Sequence, residues 1–167
     1  EPQRGRRAQP ADARSHPAGE LTAAFRNLSQ QSTLPDLTEA ECMTTLLISH
    51  PACLDHATPP GHPERADRLR AIDEVLNSER LQFLTRANAP EASFDTIALC
   101  HSELEIGEIR HIAPKEGIVH IDGDTSMSPG SLEAMLRSAG GALAPADAVM
   151  TGKAANAFVA TRPPGHH

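Results

Sequence analysis

Residues 156–167 read NAFVATRPPGHH, a stretch that combines a strand pattern with a turn and a histidine pair. Its first half is a short apolar run typical of a buried strand. Its second half is a rigid Pro-Pro-Gly turn that presents two adjacent histidines, His166 and His167. Neutral imidazole accepts or donates a proton near pH 7, because its unperturbed pKa is about 6.5. The stretch therefore indicates residues for acid–base catalysis directly after a strand. A surface turn or the start of a cloned histidine tag is the alternative interpretation.

Two further apolar runs predict strands. Residues 44–49 read TTLLIS, and residues 117–122 read GIVHID. Helical patterns separate the runs, so that strands and helices alternate along the chain. Such alternation favours an α/β fold with a mostly parallel sheet. Ligands of these folds bind at the carboxyl ends of the strands, which is where the histidine pair stands.

The helical patterns have recognisable starts and stops. Pro63 is predicted to occupy the first position of one helix. The apolar face of that helix is formed by Leu69, Ile72, Val75 and Leu76. Ser102 begins a capping-box pattern. A longer helix is predicted to begin at Ser128, to kink or end at Pro145 and to stop at Gly152.

The composition excludes several classes of function. The chain has 167 residues, with 15 Lys and Arg against 22 Asp and Glu and a net charge of -7. This balance, with an aromatic content of 2%, argues against direct nucleic-acid binding through phosphates or base stacking. No apolar run reaches the about 18 residues of a membrane span. Three cysteines form no disulfide framework, which indicates a reducing compartment and a cytoplasmic location.

Residues 1–42 differ from the remainder of the chain. They are rich in Ala, Pro, Gln, Ser and Arg and show little periodicity, which predicts a disordered leader or an upstream extension. They also contain too many acidic residues for a transit peptide. Met43 precedes an abrupt change to apolar residues, so our hypothesis is that it is the natural start. Residues 43–167 are then the folded part.

One loop is enriched in residues that can bind zinc, namely His50, Cys53, His56 and His62. Histidine and cysteine are the side chains that zinc prefers. Their spacing, however, matches no common zinc module. Packing roles for these residues are therefore the favoured interpretation, and a small zinc site is the alternative.

A pair of aspartates and a cluster of arginines can each be interpreted as functional or as purely structural. Asp122 and Asp124 follow a predicted strand, where carboxylates can hold a metal or a substrate amide, or can form a turn. Arg65, Arg68 and Arg70 fit a solvated, salt-bridged helix face. An arginine that turned inward would instead clamp loop carbonyls or a carboxylate.

Three stretches together resemble the histone deacetylase superfamily. They read TPPGHPERADRL at residues 58–69, DGDTSMSPGS at 122–131 and RPPGHH at 162–167, and they occur in the family's order. The likeness is to the bacterial and class-II-like branch, with its acetylpolyamine and acetoin-utilisation relatives, and runs from about Met43 to the end. It implies an arginase/deacetylase-type α/β fold, in which helices flank a parallel sheet, here as a truncated N-terminal part.

The resemblance also implies a zinc amidohydrolase, a deacetylase that hydrolyses acetyl-lysine or acetylpolyamine amides to acetate and a free amine. His167 resembles the general base and acid of such enzymes, and His166 resembles its partner. Asp122, ahead of Asp124 as the second candidate, resembles the rim aspartate that holds the substrate, and Gly165 resembles a further substrate contact. The structural residues of the substrate tunnel that the resemblance implies are Arg68 and His62.

The family's zinc ligands follow the His-His motif, as does its catalytic tyrosine. The resemblance therefore implies zinc whose ligands are expected downstream of residue 167, and no metal ligand within the chain. A catalytic zinc needs three protein ligands and a water, so the chain by itself is expected to be inactive. The alternative is a non-catalytic binding module of the same fold. The expected partner is an acetylated protein or a small acetyl-amine, and the oligomeric state stays open.

Overall fold

The computed structural model describes residues 45–165, in which helices flank a parallel sheet. The predicted leader, residues 1–42, and the histidine pair, His166 and His167, lie outside the described residues. In chain order the elements are β1 (Thr45–Ser49), α1 (Ala66–Leu76), β2 (Thr85–Asn88), α2 (Phe94–Ile97), α3 (Glu103–Ile112), β3 (Val119–His120), β4 (Ser126–Met127), α4 (Ser131–Met150) and β5 (Asn156–Ala160). Short 3-10 helices at Pro51–Leu54 and Glu79–Leu81 follow β1 and α1.

The three longer strands form one parallel sheet in the order β2-β1-β5. Leu47 of β1 lies opposite Arg86 of β2 and Phe158 of β5. The central strand is almost wholly buried, with exposed fractions of 1%, 2% and 0% for Leu46, Leu47 and Ile48. A strand covered on both faces needs a continuous apolar run of this kind. The predicted α/β class and the strands predicted at 44–49 and 156–161 are thus confirmed.

Each face of β1 has its own core. Leu46 and Ile48 lie in a cluster that is completed by Ala89, Ala148 and Ala154. Leu47 lies in a second cluster, which is completed by Cys53, Leu69, Leu76 and Ala160. The first cluster includes a residue of α4 and the second includes residues of α1. The two helices therefore cover opposite faces of the sheet.

The first long helix starts later than its sequence predicts. The helix α1 begins at Ala66, not at Pro63, because Arg65 is still extended with a φ of -151°. The loop before it is held by its own bonds, including one of 2.6 Å from the Thr58 hydroxyl to the Glu64 carbonyl. Leu69 and Leu76 are buried as predicted, whereas Ile72 and Val75 of the same helix are exposed. Only part of the apolar face of α1 therefore packs against the sheet.

The prediction that residues 117–122 form a strand of the parallel sheet is wrong. Only Val119–His120 forms a strand there, and it pairs antiparallel with Ser126–Met127 in a separate two-stranded ladder. The turn between them is closed by Asp122, so the chain reverses direction before it can reach the sheet. The third strand of the sheet is β2, which the sequence does not predict. Its residues alternate between half-buried and exposed and include Arg86 and Asn88.

The longest helix runs through Pro145 without ending there. The helix does not end at Pro145, since α4 continues to Met150, and the alternative of a kink there stays a prediction. Proline removes one backbone hydrogen bond, but Ala144, Pro145 and Ala148 are all buried, and this packing outweighs the loss. Gly152 ends the helix as predicted, with a φ of +74°. Within residues 45–165, no helix has both the length and the apolar character to cross a bilayer.

Two adjacent glycines let α4 lie directly against the neighbouring loop and sheet. A Cβ atom on Gly140 would stand 2.2 Å from the Pro90 carbonyl oxygen. A Cβ atom on Gly141 would stand 3.0 Å from the Cβ atom of Ala89. The Ala92 N–H donates to the Leu136 carbonyl at 3.0 Å, so the loop after β2 is hydrogen-bonded to the helix itself. This close approach fixes the height of α4 above the sheet.

We expect Gly140→Ala to destabilise the protein, because backbone atoms on both sides must move to admit one methyl group. The cost of such overpacking is about 1–3 kcal/mol. Gly107→Ala is the matched control, since Gly107 also lies inside a helix but a Cβ atom added there would meet nothing within 4 Å. That control should gain roughly 0.5–1 kcal/mol. Urea denaturation of the intact protein measures both, and equal stabilities of the two variants would contradict the close approach.

Candidate functional site

The candidate site lies beyond the carboxyl ends of β1 and β5, which are adjacent strands of the sheet. The chain leaves β1 into the loop 50–65 and leaves β5 into the turn 161–165. The first motif, 58–69, and the last motif, 162–167, are therefore brought to the same edge by the parallel pairing of the two strands. The middle motif, 122–131, reaches this edge through the start of α4.

A buried arginine joins the first and last motifs. Arg162 has an exposed fraction of 4%. Its Nε atom donates to Glu64 Oε1 at 2.8 Å, and its Nη2 atom donates to Glu64 Oε2 at 2.7 Å. Its Nη1 atom donates to the carbonyl oxygens of Cys53 at 2.9 Å and His56 at 2.6 Å. One guanidinium thus binds a carboxylate through two parallel bonds and also holds two loop carbonyls.

The electrostatics of this pair keep Glu64 ionised. Burial by itself raises the pKa of the Glu64 carboxyl, but the hydrogen bonds and charge of Arg162 outweigh it. The net effect is a pKa below the ordinary value of 4.5. Glu64 is therefore a carboxylate at neutral pH, and the pair is a buried ion pair.

His56 extends the pair toward α4. Its Nε2 atom lies 3.5 Å from Glu64 Oε2, and its Nδ1 atom lies 2.7 Å from Ser131 Oγ. The Ser128 N–H donates to Ser131 Oγ at 2.7 Å. Burial, followed by the charge of Arg162, lowers the pKa of His56, so its imidazole is neutral near pH 7. This side chain joins the loop after β1 to the start of α4.

His62 joins the same loop to the turn between β3 and β4. Its Nε2 atom lies 3.1 Å from Asp124 Oδ1. Its Nδ1 atom lies 3.1 Å from both the N–H and the carbonyl oxygen of Glu64. The neutral ring can accept from the N–H, whereas the protonated ring donates to the carbonyl. The Glu64 carbonyl, followed by Asp124, raises the pKa of His62.

The two carboxylates of the middle motif have different roles. Asp122 Oδ1 accepts hydrogen bonds from the N–H groups of Asp124 and Thr125 at 2.8 and 2.7 Å. Its Oδ2 accepts from the Thr125 hydroxyl at 2.9 Å. Asp122 therefore closes its own turn, which is the ordinary interpretation of this motif. Asp124 is the carboxylate that contacts His62 of the first motif.

The structure does not bring all the predicted site residues together. Arg68 is exposed on α1, where its charge adds to the lowering of the Glu64 pKa. Gly165 is exposed at the end of the turn with a φ of +75°. The sequence suggested that one of the helical arginines could turn inward and bind loop carbonyls or a carboxylate. In the structure Arg162, which follows β5, makes these contacts instead. Sequence reasoning assigned no role to Arg162, although an arginine directly after an apolar strand was the available signal.

The loop residues that could bind zinc do not converge. The His50 Nδ1 atom accepts from the Ala52 N–H at 3.2 Å and so caps a 3-10 helix. Cys53 is fully buried, and burial raises the pKa of its thiol. His56 and His62 bind Ser131 and Asp124, as described above. In the stretch from residue 45 to residue 165, no group of three His, Cys, Asp or Glu side chains could hold a metal ion.

A cavity of about 750 Å³ lies behind the turn that follows β5. Its walls are mostly apolar side chains of α2, α3 and α4, among them Ile106, Ile109 and Met135. Pro163, Pro164 and Gly165 line one end of it. The Ser138 hydroxyl of α4 donates to the Pro163 carbonyl at 2.8 Å. The turn is therefore held by α4 on this side and by the loop after β1 on the other.

We expect acidification to weaken the folded state through His56. Its pKa is lowered in the folded protein, by burial first and by Arg162 second, so below pH 6.5 the unfolded chain binds more protons. Replacing His56 with Gln should therefore flatten the loss of unfolding free energy below that pH. The change in slope is at most about 1.4 kcal/mol per pH unit, the limit for one proton. Urea denaturation of the intact protein at several pH values measures it.

His62 serves as the control with the opposite sign. Its pKa is raised, so its contribution is complete below pH 6.5 and is lost as the pH rises through the raised pKa. His62→Gln should therefore alter the slope above pH 6.5 and leave the slope below it unchanged. Identical pH dependence of the wild type and the His56 variant would contradict the assignment of His56.

Comparison with known proteins identifies the type of domain. Residues 62–167 match the model of the Histone deacetylase domain. The chain is 35% identical over 131 residues to a "Probable deacetylase" of Archaeoglobus fulgidus, with 75% of this chain and 35% of that protein covered. It is 34% identical over 121 residues to a "Histone deacetylase-like amidohydrolase" of Pseudomonas aeruginosa, with 72% of this chain and 30% of that protein covered.

A solved structure has the same fold. The crystal structure of the HDA15 HD domain matches with a TM-score of 0.68 and 26% sequence identity. The match covers 75% of this chain and 37% of that chain. The chain thus spans about a third of the length of these relatives. All three motifs, apart from the first four residues of the first, fall within the matched domain range.

Proposed function

The chain belongs to the histone deacetylase family, and we propose that it is the N-terminal part of a zinc-dependent deacetylase. Its proposed reaction is the hydrolysis of acetyl-lysine or acetylpolyamine amides to acetate and a free amine. The observation that supports this most is the ion pair between Arg162 and Glu64. It holds the turn that leads to the histidine pair against the loop of the first motif, at the carboxyl edge of the sheet.

His166 and His167 are the proposed acid–base residues of the intact protein. Amide hydrolysis adds a water oxygen to the acetyl carbon and breaks the C–N bond. The proposed role of His167 is to remove a proton from the attacking water and to protonate the departing amine. His166 is its proposed partner. His166 follows Gly165 directly and His167 comes next, so both come just after the turn that Arg162 anchors.

Zinc is proposed from the family alone, since the described residues do not form a site for it. A bound zinc ion would polarise the acetyl carbonyl and activate a water molecule. We place its ligands after residue 167, and we propose that the present chain alone is inactive. The domain is proposed to begin near Met43, with residues 1–42 as an upstream segment. The cytoplasmic location stays a prediction.

The geometry favours Asp124 over Asp122 as the residue that holds the substrate at the rim. Both carboxylate oxygens of Asp122 accept hydrogen bonds within its own turn, which gives this side chain a structural role there. Asp124 has a side-chain exposed fraction of 66% and already contacts the loop of the first motif through His62. Asp122 is then a residue that shapes the rim. Gly165, exposed at the end of the turn after β5, remains a proposed substrate contact.

We expect the intact protein to release acetate from an acetyl-lysine peptide or from an acetylpolyamine, and to lose this activity to a zinc chelator. His167→Ala should lower kcat by about 10²- to 10⁴-fold, the usual contribution of a general base. His111→Ala is the control, because His111 is exposed on α3. Acetate release measured by an enzyme-coupled assay gives the result. A folded protein that binds both substrates but hydrolyses neither would favour the non-catalytic binding module.

We expect Asp124→Asn to raise KM by about tenfold with little change in kcat, because a lost charge-assisted hydrogen bond weakens substrate and transition state alike. Asp122→Asn should leave KM nearly unchanged and lower the stability of the β3–β4 turn instead. Steady-state kinetics on the same two substrates, with thermal melts of both variants, separate the two roles. A KM effect confined to the Asp122 variant would reverse the assignment.

A further inference from the structure

The turn after β5 is fixed by side chains and not by the strand ladder. The last strand pair joins Ala160 to Ser49 of β1. Beyond it, the turn is held mainly by the four hydrogen bonds of the Arg162 guanidinium and the bond from Ser138 to the Pro163 carbonyl. Arg162 stands four residues before His166. The direction in which the chain approaches the histidine pair is therefore set by these two anchors.

Arg162 and Ser138 connect the turn to elements on its opposite sides. Arg162 binds the loop after β1, at the carbonyls of Cys53 and His56 and at the Glu64 carboxylate. Ser138 lies on α4, on the other side of the turn. Of the two, the arginine is the stronger, because its bonds to Glu64 are charge-assisted, bidentate and shielded from water.

Glu64 also connects this turn to the rim of the site. Its side chain binds Arg162, while its backbone lies within hydrogen-bonding distance of His62 Nδ1. His62 in turn contacts Asp124. Residues from all three motifs are thus linked through one glutamate, and a shift of the Arg162–Glu64 pair would move the turn relative to the rim.

We propose that Arg162 is a positioning residue for catalysis, which acts with Glu64 to orient the turn 161–165, directly before His166 and His167, relative to the substrate rim. This inference rests on the proposed function for its kinetic consequence. Arg162 is buried against Glu64 and two carbonyls, so its role is to set geometry through the chain that follows it. A misplacement of about 1 Å at a reacting group can reduce a rate by roughly 10²-fold.

The test replaces Arg162 with Lys in the intact protein. Lysine keeps the positive charge that Glu64 needs but cannot form the two parallel bonds or reach both carbonyls. We expect kcat for acetyl-amide hydrolysis to fall by roughly 10- to 100-fold, with KM unchanged within about twofold. Glu64→Gln, which keeps the size of the side chain and removes its charge, should lower kcat in the same way.

Arg137→Lys is the matched control. Arg137 also forms an arginine clamp, since it donates to the Ala89 carbonyl at 3.1 Å and pairs with Glu91 at 2.9 Å, but it lies on α4 and holds the loop after β2. We expect this variant to lose stability without a change in kcat per folded molecule. Equal decreases of kcat in the Arg162 and Arg137 variants would overturn the proposal. So would a raised KM with an unchanged kcat in the Arg162 variant.

A second measurement does not depend on activity. The imidazole nitrogens of His166 and His167 in the intact protein, labelled with ¹⁵N-histidine, report their surroundings by NMR. Arg162→Lys should shift both signals and their pH titration, and Arg137→Lys should leave them in place. Unmoved signals in a folded Arg162 variant would overturn the positioning role. If the wild type hydrolyses no acetyl-amide, the proposed function fails, and the imidazole signals alone decide the positioning role.

Discussion

The bidentate ion pair between Arg162 and Glu64 is the interaction on which the rest of the site depends. The loop after β1 turns two carbonyl oxygens, those of Cys53 and His56, into the interior, where each needs a donor. A guanidinium is the side chain that can satisfy two carbonyls and a carboxylate at once, because it has five donors in a fixed plane. Loss of this one group would leave both carbonyl oxygens without their donor and would remove the bidentate partner of the Glu64 carboxylate.

The same edge of the sheet is braced by α4. Ser131 and Ser138 are seven residues apart, two turns of helix, and so lie on one side of α4 about 10 Å apart. The first contacts His56 in the loop after β1, and the second contacts Pro163 in the turn after β5. These short side chains reach the loops because Gly140 and Gly141 let the helix lie against the sheet. Close backbone packing thus serves the site as well as the core.

Different elements have different structural roles in the site. The strands supply a rigid edge, the ion pair fixes the turn that leads to the histidines, and His62 with Asp124 forms the exposed rim. His56 is buried and its pKa is lowered, whereas His62 is half-buried and its pKa is raised, so these two histidines of the loop after β1 change protonation in different pH ranges. Membership of the histone deacetylase family agrees with a site that lies at the carboxyl ends of parallel strands.

The features that depend on local pattern could be predicted from the sequence. These are the buried strands β1 and β5, the capping box at Ser102, the end of α4 at Gly152 and the family, through three ordered motifs. Sequence patterns missed β2, whose polar alternation resembles a loop, and misplaced residues 117–122. The inward position of Arg162 depends on the tertiary structure, because its partner Glu64 is 98 positions away in the chain. Side-chain pairing over that separation has no local signal, since burial arises only when the strands come together.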